Sequence, residues 1–72
     1  MSKKNPIHVK IGREIRKLRL DLDMPRKKLA ELSGISLVFL GEIERGQGNA
    51  SIVTLCKIGK ALGQTQLTIF IL

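Results

Sequence analysis

Apolar residues recur at helical spacing through most of this 72-residue chain, and four helices can be read from them. Between about Val9 and Asp21, Ile11, Ile15, Leu18 and Leu22 follow one another at intervals of four, three and four. That is the spacing of one face of an amphipathic helix. Lys10, Arg13, Arg16 and Lys17 are left for its wet side. A second helix is predicted from about Pro25 to Leu32, proline being tolerated in a first turn because its missing N–H would be unpaired there anyway. A third runs from about Leu37 to Arg45, with Ser36 as hydroxyl cap and Gly46 as stop. A fourth runs from about Ile52 to Leu62, capped by Ser51 and ended by Gly63. Ile52, Leu55, Ile58, Gly59 and Leu62 are expected to face inward, with Cys56 near the same face as a small buried hydrophobe. Gly59 in mid-helix is read as permitting close helix approach.

The second and third helices are joined by Ser33-Gly34-Ile35. Gly34 permits the left-handed backbone a sharp helix-to-helix turn needs. Leu29, Ala30, Leu32, Ile35, Leu40 and Ile43 are spaced so that one side of both helices can be buried, the pattern of a helix-turn-helix. After Gly63 the pattern changes. QTQLTIFIL carries no charge and is rich in Thr, Ile, Leu and Phe, which predicts a strand of about six residues from Gln66. No second strand is predicted to cover its edges, so the same strand of another copy is expected to do so, through Leu67, Ile69, Phe70, Ile71 and Leu72. The expected organisation is a flexible basic leader over 1–8, a helical domain over 9–63 and a dimerisation strand over 64–72. The fold class is all-α with one added strand.

Composition narrows the function. The chain carries 13 Lys and Arg against 6 Asp and Glu, a net charge of +7. Residues 1–30 hold ten of those basic residues against three acids, and the remainder hold three of each. A field concentrated in one half attracts polyanions, nucleic acid first and acidic membrane second. Arg26, Lys27 and Lys28 cluster where the second helix opens, beside N–H groups that themselves favour an anion. Phe39 and Phe70 are the only aromatics, too few for a platform on which single-stranded bases could stack. A single cysteine makes no internal disulfide, and no signal peptide or membrane-length apolar run is visible, so a cytoplasmic location is expected.

Enzyme chemistry has no foothold. His8 is the only histidine, Cys56 has no base near it in sequence, and no phosphate loop or paired-carboxylate arrangement is present. No metal-ligand spacing is present either, and no cofactor is expected.

IGREIRKLR, KLAELSGIS, IERG and SIVTLCKIGKALG, in that order over about residues 9–63, resemble the lambda-repressor-like (Cro and Xre type) helix-turn-helix family. The resemblance implies a small four-helix bundle and a dimeric transcriptional regulator, a repressor by expectation. It implies that Arg19 and Glu44 form a buried ion pair tying the first helix to the end of the recognition helix. It places Leu37, Val38 and Glu42 at base edges, with Gly41 on the same exposed side, and Arg26 where it touches a phosphate and braces the recognition helix. Lys27, Ser36, Gln47, Asn49, Lys10 and Arg13 are the further phosphate candidates, and such contacts position without specifying. The strand-bearing tail is similar to the antitoxins of Hip-type kinase toxins. The region from Gly34 to Leu55 is also similar to the N-terminal domain of regulators that continue into an effector domain.

The chain departs from that family at the first two reading positions, where polar side chains are usual. Leu37 and Val38 cannot hydrogen-bond a base. They can pack on thymine methyls while Glu42 accepts from a cytosine amino group, or they can bury the surface of a protein partner. Two readings therefore stand: a homodimer on a two-fold double-stranded operator, and an antitoxin or adaptor of the same fold that binds a kinase-like toxin or other protein.

Overall fold

The computed structural model describes residues 6–64, which form four α-helices. They are α1 (Pro6–Asp21), α2 (Arg26–Ser33), α3 (Leu37–Glu44) and α4 (Ile52–Ala61). Residues 1–5 of the expected leader and the expected strand over 66–72, with its dimerisation residues Leu67, Ile69, Phe70, Ile71 and Leu72, lie outside the described residues. No described helix is long and apolar enough to cross a membrane.

The core draws on every helix. Ile15, Leu29, Leu40 and Ile58 have no exposed surface, and Ala30, Ile43, Leu55 and Leu62 complete the buried cluster. Ile11, Leu18, Met24, Ile35 and Phe39 pack on it from partly buried positions.

Helix ends follow local chemistry. Gly34 closes α2 with φ 68° and ψ 31°, the left-handed geometry its place in the turn demands, and the N–H of Ile35 reaches back to the carbonyl of Ala30 at 3.1 Å. Ser36 caps α3 by accepting from the N–H of Phe39 at 3.0 Å, and Ser51 caps α4 by accepting from the N–H of Thr54 at 3.1 Å.

Several expectations are corrected. Pro6, Ile7 and His8, assigned to the leader, are helical. A proline suits a first turn, and His8 lines a small cleft with Ile11, Ile43, Gly48, Ala50 and Leu55. Pro25 is the cap of α2 rather than its first residue, with an extended ψ of 149°. Leu22 falls past the end of α1, where the chain turns through Asp23 at φ 51°, and is exposed. Leu32, expected in the core, is 51% exposed, and Ser33 is buried in its place. On α4, Ile52 is 68% exposed and Cys56 is exposed as well; that helix buries the line Leu55, Ile58, Gly59, set by its packing on α2.

One close approach of two helices was not read from the sequence. Gly12 on α1 faces the backbone at the end of α3, where a Cβ would collide with the carbonyl oxygen of Ile43 and lie 2.8 Å from that of Glu44.

Candidate nucleic-acid interface

Arg19 fixes α3 to the rest of the bundle. Its Nε–H donates to Glu44 Oε2 at 2.7 Å and its Nη2–H to Glu44 Oε1 at 3.0 Å, a two-pronged contact between planar groups. Its Nη1–H donates to the carbonyl of Met24 at 2.9 Å. One side chain thus joins the end of α1, the entry to α2 and the end of α3. Both charges are buried, the side chains being 7% and 3% exposed. A buried pair of this kind holds geometry, and removing one partner strands the other.

Arg26 approaches the same carboxylate from α2, its Nε 3.4 Å from Glu44 Oε1, with its side chain 46% exposed. One carboxylate between two guanidinium groups leaves a net positive charge where α2 begins. Lys27 and Lys28 add to it and are both exposed. A phosphate meeting this corner finds an arginine already oriented by Glu44, together with N–H groups of the first turn of α2.

The exposed side of α3 is narrower than expected and differently composed. Leu37 is 49% and Val38 73% exposed, and Glu42 is half-buried. Gly41, expected on the reading side, is buried. The reason is Arg45, whose Nη1 would lie 3.1 Å from a Cβ at Gly41, so that the guanidinium lies over that position. Arg45 Nε–H also donates to Gln47 Oε1 at 3.2 Å. Val38 and Glu42 are four residues apart and Glu42 and Arg45 three, so they form one ridge along the helix. An apolar tip, an acceptor and a donor fork follow in series. No described cation is paired with Glu42.

Arg45 was not singled out in the sequence. It stands between Glu44 and Gly46 in the IERG block, which drew attention to Glu44, yet its spacing of seven from Val38 and three from Glu42 would have placed it on the outer ridge. The remaining phosphate candidates are dispersed. Gln47 and Asn49 are exposed on the loop after α3, and Ser36 sits at the opposite end of that helix as its cap. Lys10 and Arg13 are exposed on α1, where Arg13 borders an open depression with Arg16, Lys17, Leu20 and Asp21. That depression has no lining from α2 or α3.

A family model described as helix-turn-helix matches residues 15–70. The chain belongs to the helix-turn-helix family. Among curated relatives it is similar to Control protein C.BamHI of Bacillus amyloliquefaciens, 37% identical over 60 residues that cover 82% of this chain and 74% of the relative. Among solved structures it resembles the restriction-modification controller protein C.AhdI from Aeromonas hydrophila, with 35% identity, a TM-score of 0.82 and coverage of 88% of this chain and 94% of that one. It also resembles the controller protein C.Esp1396I, whose tetramer was solved in complex with its natural operator. That match has 28% identity, a TM-score of 0.83 and coverage of 93% of this chain and 87% of that one. As a member of this family, the chain is a sequence-specific DNA-binding transcriptional regulator and not an enzyme.

Proposed function

We propose that this helix-turn-helix regulator acts as a homodimeric repressor on a two-fold operator, with α3 in the major groove of each half-site. Half-sites one helical turn apart would suit two copies related by a dyad. The observation that carries this reading is the ridge of Val38, Glu42 and Arg45 on the outer side of a helix that Arg19, Glu44 and Gly12 hold against the bundle. Leu37 and Val38 pack on thymine methyls, Glu42 accepts from a cytosine amino group, and Arg45 donates to guanine. Arg26, Lys27, Ser36, Gln47 and Asn49 take phosphates near that helix, and Lys10 and Arg13 take flanking ones. The likeness to controller proteins supports a regulator of restriction-modification genes, this chain's own gene among its targets.

Fluorescence polarisation across a salt series tests the DNA reading. With a duplex from upstream of its own coding region, affinity should fall log-linearly, by roughly 10³–10⁵-fold between about 50 and 200 mM salt if six to ten phosphates are neutralised. No binding to that duplex at low salt would refute it. Dimerisation is assigned to the tail. Deleting residues 66–72 should give a weakly associating monomer in sedimentation, and a truncated chain that stays dimeric would reject this.

One observation favours a second reading. Leu37 and Val38 are apolar and exposed at the start of α3, a surface that suits a protein partner and would fit an antitoxin of the Hip type. Binding that is insensitive to salt, or competition between the partner and DNA for this surface, would support it.

A further inference from the structure

Val38 and Glu42 lie one turn apart on the outer ridge of α3, the first apolar and 73% exposed, the second a carboxylate without a described cationic partner. Residues four apart share one face of a helix with a rise of about 6 Å between them, so the longer Glu42 and the short Val38 can be set against one base edge.

In the major groove, cytosine offers an N4 amino donor and no methyl, whereas thymine offers a methyl beside the O4 acceptor. Thymine satisfies Val38 but sets its O4 against the carboxylate. Cytosine satisfies Glu42 but leaves Val38 facing bare ring edge and water. A cytosine methylated at C5 offers the donor and the methyl together. We propose that the Val38–Glu42 pair is a site for 5-methylcytosine in duplex DNA, so that operator binding depends on the methylation of a cytosine within each half-site. The proposal rests on the reading that α3 enters the major groove. Arg45, three residues beyond Glu42 on the same ridge, supplies a donor fork for a neighbouring guanine.

Neither side chain is needed by the fold. Val38 is outside the core cluster, and Glu42 forms no side-chain hydrogen bond within the described residues, so variants at both positions should melt close to the parent.

The test is a pair of selections with the full-length chain on randomised duplexes, one pool amplified with unmodified cytosine and one with 5-methylcytosine. The preferred site is then synthesised with cytosine, 5-methylcytosine or thymine at the enriched position. The methylated duplex should bind about fourfold more tightly than the unmodified one, the worth of one buried methyl group, and should outbind the thymine duplex as well. Val38→Ala should erase the difference between cytosine and 5-methylcytosine while still binding DNA. Glu42→Gln, whose amide can also donate, should admit thymine as readily as 5-methylcytosine. Equal affinity for cytosine and 5-methylcytosine in the parent, or for thymine and 5-methylcytosine, overturns the methyl reading and leaves operator binding intact. No enrichment from either pool overturns both.

Discussion

Glu44 draws together α1, α2 and α3 through a single carboxylate. It lies on the recognition helix, yet its side chain is 3% exposed and is held by Arg19 and, more loosely, by Arg26. Replacing it with Gln leaves two guanidinium groups without their counter-charge, one of them buried. Glu44→Gln should lower stability by about 3–5 kcal/mol, the cost of breaking a buried pair from one side, read as a shifted urea midpoint with an unchanged slope. A midpoint within error of the parent would mean that the pair does not hold α3. The resemblance to known regulators pointed to the Arg19–Glu44 contact in the sequence. The Arg19 contact to the Met24 carbonyl was not legible, because it depends on how the chain turns from α1 into α2.

At the scale of elements, α1 and α3 approach so closely that only glycine fits at position 12. A methyl there meets backbone oxygen, which cannot swing aside as a flexible side chain can. Gly12→Ala should therefore destabilise by roughly 1–3 kcal/mol through overpacking, although alanine is the better helix former. A thermal melt at or above that of the parent would contradict this. The four helices themselves were legible from spacing, caps and the Gly34 turn, because each signal is local. Which way their ends face was less so. Leu22, Leu32 and Ile52 sit at or near the boundaries of helices two to four turns long, where one residue's shift of an end exchanges buried and exposed positions, whereas Cys56 is inside α4, one position past the buried Leu55. Ser33 is buried in place of Leu32 for that reason, and Pro6 to His8 joined α1 because a first-turn proline looks the same in a leader and in a helix.

For the whole molecule, charge and apolar surface are divided between different tasks. Under the proposed reading, the basic corner at the start of α2 and the exposed loop after α3 take phosphates, while Val38, Glu42 and Arg45 on the outer ridge of α3 meet the groove. The sequence made the charge asymmetry plain. It placed Val38 and Glu42 on the outer side of α3 but also Gly41, which is buried because the Arg45 side chain folds over it. The most direct test of DNA reading by α3 is the ratio of affinities for a selected operator and an unrelated duplex of equal length, at about 0.15 M salt, for the parent and for a Val38→Ala/Arg45→Ala double variant. A specific reader should favour the operator by about 10³-fold or more, and the variant should lose most of that preference while keeping the parent's weaker affinity for unrelated DNA. A ratio near one in the parent, or one that the double substitution leaves unchanged, would contradict the assignment of α3 as the helix that reads the operator.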